Sequence, residues 1–263
     1  MGTMQKTAIV VPCYNESLRF MGQEFADYAK DNEEVYFIFV DDGSTDDTKE
    51  KIKLLCRSNP EQILGLSLKK NRGKAEAVRH GFMKAIEMDF EHIGFWDADL
   101  STPLQFINKF CELFDDHEIT GVMGSRVKLL GRRIERRAFR HYVGRIFATL
   151  ASLVLGIPVY DTQCGAKVFV VNNDMKRVFS KPFKVNWTFD VEILARYKLI
   201  NKDIQPDIVE NTFVEYPLEQ WIHVPGSKIR IRDFLVVGVE LIKIFLLHRA
   251  PGVSDKYMKH FNT

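Results

Sequence analysis

Two aspartates, Asp97 and Asp99, flank Ala98 at the end of the apolar run 92–96, "HIGFW", a few residues before Pro103. Carboxylate oxygens are hard ligands. Two of them close together suit Mg²⁺ or Mn²⁺, ions that keep several waters and share phosphate oxygens with a substrate. The chemistry this suggests is binding of a diphosphate-activated donor. On an extended exit, positions 97 and 99 fall on one side of the chain. A second reading is local: Ser101 or Thr102 before Pro103 has the form of a helix N-cap with proline at the first helical position. The two readings are compatible, because a cap needs neither aspartate.

The elements that must position this pair follow from the pattern around it. Runs at 7–11, 35–40, 63–68 and 92–96 are short, apolar and rich in β-branched or aromatic residues. Each stops at polar, turn-forming residues, and helix-like stretches lie at roughly 18–30, 46–58, 73–88 and 103–117. Strand alternating with helix predicts an α/β fold, a mostly parallel sheet covered on both faces. In such sheets ligands gather at the strand C-termini, near a topological switch point. "YNES", "DDGSTDD", "NRGK" and "DADLS" should therefore meet on one rim. Beyond residue 120 the alternation fades. A strand in "GVMGSR", a helix to about 155, a strand at 166–171 and a helix at 187–199 are expected, the last with Asp190 and Glu192 in its first turns.

The totals exclude several classes. With 46% hydrophobic residues in 263, the chain can bury a substantial core, and its net charge of +2 gives no global field for nucleic acid. Charge is concentrated locally: Arg126–Arg145 holds eight Lys/Arg against one acid, Glu135. That segment predicts a specific anionic partner. The four cysteines form no C-x-x-C pair, which fits a reducing, cytoplasmic compartment and no zinc site. No run reaches the roughly 18 apolar residues of a membrane span. Residues 146–159 and 234–247 come partway, and each reads as a core helix or a membrane-surface helix. There is no P-loop, no G-x-G-x-x-G after the first strand and no G-x-S-x-G elbow.

In combination these motifs resemble the family 2 glycosyltransferases of the GT-A fold. "IVVPCYNES", "VDDGSTDDT", "NRGKAEAVRHGF", "DADLSTP" and "GSR" occur in that family's order from residue 7 to about 126. "DTQCGAKVF", "FDVE" and "GSKI" look like the branch that makes polyprenyl-phosphate sugars, the dolichyl-phosphate glucose and mannose synthases. The resemblance implies a GT-A domain over 1–225, with a basic acceptor loop and interface helix at 126–156. A C-terminal amphipathic extension at 226–263 follows.

The resemblance also implies roles. Pro12, Tyr14, Asn15 and Glu16 match the first nucleotide-binding loop, with Tyr14 stacking on the base and Glu16 accepting from base or ribose. Asp41 matches the acid that bonds the base, with Asp42 beside it; Gly73 and Lys74 match the loop under the nucleotide. Asp97 and Asp99 match the metal-binding motif. Ser101 stands where many lipid-phosphate synthases carry a glutamine ligand, and its hydroxyl is the shorter, weaker ligand. Arg126 and Arg140 match acceptor-side arginines, Gly144 stands where a serine is common, and Lys228 matches a phosphate-side lysine.

The expected reaction is inverting, metal-dependent hexose transfer from UDP-glucose or GDP-mannose to a polyprenyl phosphate. It would run at the cytoplasmic face of a membrane, by a peripheral enzyme with a possible homo-oligomer or separate membrane partner. A phosphate acceptor is already anionic near neutrality and needs no general base. A glycan hydroxyl acceptor, the alternative, would need one, and Asp161, Asp190 or Glu192 are the candidates. A non-catalytic nucleotide-sugar-binding module is the third reading.

Overall fold

The computed structural model of the 263-residue chain describes residues 5–135, 138–222, 224, 231–249, 252, 254 and 257; for 138–141 and 231–235 it describes backbone alone. In chain order the elements are β1 (Thr7–Cys13), α1 (Gly22–Asp31), β2 (Val35–Asp41), α2 (Thr48–Ser58), β3 (Ile63–Ser67), α3 (Lys74–Glu87), β4 (His92–Trp96) and α4 (Phe106–Glu112). There follow β5 (Gly121–Ser125), β6 (Arg133–Ile134), α5 (Ala138–Leu155), β7 (Ala166–Val170), α6 (Asn173–Ser180) and α7 (Phe189–Ile200). α8 (Ile208–Thr212), β8 (Phe213–Pro217), β9 (Gln220–Trp221) and α9 (Ile231–Arg249) complete the described elements. The chain divides into two compact units: Met1–His117 with Gly165–Val171, and Glu118–Cys164 with Asn172–Thr263.

The first unit is a sheet of order β3-β2-β1-β4-β7. Its first four strands are parallel, and β7 runs antiparallel to β4. β1, β2 and β4 are buried along nearly their whole length, as strands covered on both faces must be. The register shows which helix covers which face. Ile9 pairs with Phe37, and Phe37 and Phe39 meet Phe25 of α1 edge to face, with ring centroids 5.0 and 5.1 Å apart. Val10 pairs with Ile38 on the opposite parity and packs under Gly81 of α3. α1 and α3 thus lie on opposite faces. β2 and β3 extend to one side of β1 and β4 lies on the other, which makes the β1/β4 junction the switch point.

The second unit contains the parallel pair β5–β8 and the short parallel pair β6–β9. Its centre is α7, almost wholly buried. Glu192 and Arg196 form an ion pair there with both side chains fully buried. Around it, the Lys184 and Val185 amides and the Tyr257 hydroxyl also donate to Glu192. α9 packs against α5 and α7. Its Glu240 carboxylate accepts from the amides of Asn186, Trp187 and Thr188, the residues that lead into α7. None of the described helices is long and apolar enough to cross a membrane.

Candidate active site

Four loops leave the C-terminal ends of β1, β2, β3 and β4, and hydrogen bonds tie them together. After β1, Asn15 adopts a left-handed φ of 51°, which an asparagine tolerates better than most residues. Its amide donates to Ser44 Oγ (3.0 Å), and its Oδ1 accepts from the Thr45 amide (2.8 Å). The Glu16 amide donates to Thr48 Oγ1 (2.8 Å). Pro12 pairs with Val40 inside β1, and Tyr14 is half-buried just beyond the strand.

Asp41 and Asp42 are both buried at the end of β2. Asp41 accepts from the Ser44 amide (3.0 Å). Asp42 accepts from the amides of Arg72 and Gly73, each at 2.8 Å, and so holds the third loop against the second. Burial raises its pKa, and those two amides oppose the rise. Gly73 caps α3 with a φ of 93°, a conformation in which a side chain would be strained. That turn delivers Lys74, whose Nζ lies 2.5 Å from Asp97 Oδ1.

The exit from β4 differs from the sequence reading in two ways. It is a turn rather than an extended segment: the Leu100 amide donates to the Asp97 carbonyl at 3.3 Å. Leu100 sits at φ 52°, a strained position for a leucine, of the kind that persists where the surroundings over-determine it. Here the surroundings include Trp96 Nε1 donating to the Thr102 carbonyl (2.8 Å) and the Ser101 amide donating to Asp99 Oδ1 (3.0 Å). Second, neither Ser101 nor Thr102 is the N-cap of α4. α4 begins at Phe106 with Gln105 at its N-cap, because the bonds to Trp96 and Asp99 commit residues 101–102 to the turn.

The two aspartates are nonetheless electrostatically coupled. Burial, and next the charge of Asp97, raise the Asp99 pKa. Two cations offset the pair: Lys74 on Asp97, and Arg19, whose Nη1 is 3.9 Å from Asp99 Oδ2. The Arg19 pKa is raised, first by its bond to Glu16. Asp97 is also shaped by a close backbone approach. Its amide donates to the Gly165 carbonyl (2.9 Å), and a Cβ on Gly165 would stand 1.9 Å from Asp97 Oδ2. Only glycine leaves room for that carboxylate. Sequence reasoning passed over Arg19 and Gly165. The second stands just before β7, within "DTQCGAKVF".

A divalent cation fits this donor set. The oxygens are hard, Asp97 and Asp99 come from one turn, and cationic side chains already gather where their negative charge is concentrated. Among the described residues, no cluster of three or more His, Cys, Asp or Glu supplies a fuller cage. A small protein ligand set completed by waters and substrate phosphates is the Mg²⁺ pattern.

In the second unit, Arg126 leaves β5 and is held by Asp161: Nε to Oδ2 at 2.6 Å, Nη2 to Oδ1 at 2.7 Å. The Tyr160 and Asp161 amides both donate to Glu215 at 2.7 Å. Arg126 also lies 5.5 Å from the Trp221 ring, and Arg145 stacks 3.7 Å from the Tyr160 ring. Asp190 and Glu192 do lie in the first turn of α7, both buried. The Arg140 side chain and Lys228 lie outside the described residues, as does the segment around Lys228.

Residues 8–173 match the family model for glycosyl transferase family 2, well over half of the chain. The chain belongs to glycosyl transferase family 2. It is a glycosyltransferase, and the family resemblance of its motifs holds. A dolichyl-phosphate beta-glucosyltransferase of Trichomonas vaginalis is 31% identical over 95% of this chain and 74% of its own length. The enzyme of that name from Saccharomyces cerevisiae is 30% identical over 90% and 73%, and that from Homo sapiens 29% over 92% and 75%. Among solved structures, glucosyl-3-phosphoglycerate synthase of Mycobacterium tuberculosis in complex with Mn²⁺ and UDP-glucose matches with a TM-score of 0.62 at 16% identity. That match covers 93% of this chain and 79% of the other. A mannosyltransferase of Pyrobaculum calidifontis in complex with GDP-mannose and Mn²⁺ matches with a TM-score of 0.61 at 14% identity, covering 99% and 69%. The fold is the GT-A type of α/β architecture.

Proposed function

We propose that this glycosyltransferase moves glucose from UDP-glucose to the phosphate of a polyprenyl phosphate, with inversion, at the cytoplasmic face of a membrane. The observation that carries the reading is the coupled Asp97–Asp99 pair at the β1/β4 switch point. It occurs in a chain that is about 30% identical to dolichyl-phosphate beta-glucosyltransferases over 90% or more of its length. Those relatives' names also favour glucose over mannose, which the motifs alone leave open.

In this reading the first unit binds the donor. Tyr14 and Asp41 contact the base, and Asn15 and Asp42 fix the loops around it through the bonds described above. Asp97 and Asp99 hold Mg²⁺ or Mn²⁺. When bound, that ion acts as a Lewis acid on the leaving diphosphate. Lys74 neutralises Asp97 and stands ready for a phosphate oxygen. Ser101 acts through its amide bond to Asp99.

The second unit binds the acceptor. Arg126, oriented by Asp161, together with Arg140, Arg145 and Lys228, supplies guanidinium and ammonium groups for a phosphate monoester. One phosphate oxygen forms the bond to the anomeric carbon as the bond to the UDP oxygen breaks. The second pKa of a phosphate monoester is about 6, so no proton must be removed. A beta product from an alpha-linked donor requires inversion. The environments of Asp161 and Glu192 support the same view: both oxygens of Asp161 meet Arg126, and Glu192 is enclosed by Arg196, two amides and Tyr257. Those bonds disfavour both as general bases, which leaves Asp190, buried in the first turn of α7, as the candidate that a glycan hydroxyl acceptor would need.

Membrane contact is supported by α5 and α9. Tyr142, Ile146, Leu150 and Leu153 form an exposed stripe on α5 at helical spacing, and Val236, Val239, Ile242 and Leu246 form another on α9. Each Lys/Arg of the 126–145 segment near an anionic surface would add about 1 kcal/mol.

Labelled UDP-glucose and GDP-mannose, each offered with polyprenyl phosphate and Mn²⁺ or EDTA, test donor and metal together. The reading expects glucose transfer that EDTA abolishes. It also expects a loss of at least about 100-fold in Asp99→Asn, more than the 10–100-fold that outer-shell partners typically carry. Transfer of mannose alone overturns the donor assignment, and activity in EDTA overturns the metal.

A further inference from the structure

Arg19 stands in the turn after β1, where its amide donates to the Glu16 carbonyl at 2.9 Å and brings the two side chains together. Its Nη2 donates to Glu16 Oε1 at 2.8 Å, and its Nε donates to the other carboxylate oxygen. One guanidinium therefore engages both oxygens of Glu16. This gives Glu16 a role beside accepting from base or ribose, because its carboxylate holds the guanidinium in one orientation. The remaining nitrogen, Nη1, lies 3.9 Å from Asp99 Oδ2, inside ion-pair range and beyond a hydrogen bond.

We propose that Arg19 binds the diphosphate of the nucleotide donor and that Glu16 works through Arg19 as the residue that aims it. The inference deepens the donor-site reading above and rests on it. Two features point to an anionic ligand. A guanidinium pinned along its Nε/Nη2 edge keeps its Nη1 donors fixed in direction, and phosphate oxygens suit such donors. The surrounding charge is also unbalanced: Glu16, Asp97 and Asp99 carry three negative charges, while Arg19 and Lys74 carry two positive ones. Lys74 is already bonded to Asp97 at 2.5 Å. A diphosphate approaching this rim without a metal ion meets net repulsion, and the Nη1 side of Arg19 is the donor that offsets it.

The test is UDP and GDP binding to the full chain in EDTA, by calorimetry. Uridine or guanosine binding, followed by ligand-observed NMR, serves as the phosphate-free control. Arg19→Gln should weaken nucleoside diphosphate binding by at least about tenfold, the lower end for a hydrogen bond to a charged group, and leave the nucleoside signal unchanged. Arg19→Lys should recover part of the loss. Glu16→Gln should show a smaller loss, and the double variant should bind no more weakly than Arg19→Gln alone, as coupled residues do. Diphosphate binding equal to wild type in Arg19→Gln overturns the inference and leaves the donor site standing. So does equal loss of nucleoside and diphosphate, which would make Arg19 purely structural. Failure of the wild-type chain to bind either diphosphate in EDTA and again with Mn²⁺ overturns the donor site itself, and the inference with it; wild-type binding with Mn²⁺ alone overturns the inference and leaves the donor site standing.

Discussion

At the scale of single residues, the site depends on how closely the backbone approaches the Asp97 carboxylate. Gly165→Ala places a methyl where Asp97 Oδ2 now lies. Asp97 is a side chain about two-fifths exposed, so it can swing away at little cost in stability. The expected result is a melting temperature within a few degrees of wild type and a loss of Mn²⁺-dependent turnover approaching that of Asp99→Asn. Full activity in Gly165→Ala would show that Asp97 tolerates the displaced position. The motif residues themselves were legible because acids, glycines and a lysine follow strands at spacings that chemistry restricts. Gly165 and Arg19 were less so. What makes Gly165 necessary is a residue 68 positions earlier in the chain, and no local spacing records that contact. Arg19 acts through an irregular turn that neither strand nor helix periodicity marks.

At the scale of elements, β1 to β4 and α1 to α3 matched the sequence pattern closely, since buried parallel strands read as continuous apolar runs ending in turn residues, whereas β6, β8, β9, α6 and α8 carried no such signal. α4 departs from the pattern. The serine, threonine and proline before it have the form of a helix start, yet the bond from Trp96 to Thr102 draws those residues into the β4 turn. The entry to α7 shows the converse. Thr188 makes no side-chain cap, and Glu240 of α9 supplies the acceptor from 52 residues away. Glu240→Ala should therefore lower stability by about 1–2 kcal/mol, the range of a lost helix cap. Urea unfolding should show a shifted midpoint and an unchanged slope; an unchanged midpoint would mean that solvent satisfies those amides equally well. The segment 234–247 could be read from sequence as a core or a surface helix, and α9 has both sides: Leu241 and Ile244 are buried, Val239 and Ile242 exposed.

At the scale of the whole molecule, donor binding is proposed for one unit and acceptor binding for the other, with the exposed stripes of α5 and α9 against lipid. Ile146→Asp together with Ile242→Asp should reduce co-sedimentation with phosphatidylserine vesicles while donor binding persists; unchanged sedimentation would remove those helices from the membrane contact. Composition predicts a local anionic partner for the basic segment, and the structure adds the means by which one of those cations, Arg126, is held in place. The claim on which the rest turns is that the acceptor is a phosphate, which needs no general base. Labelled UDP-glucose should be offered with polyprenyl phosphate, with the same polyprenol lacking phosphate, and with an oligosaccharide. The account predicts label in the organic phase with the phosphate alone; label on the free polyprenol or on the water-soluble glycan would contradict it.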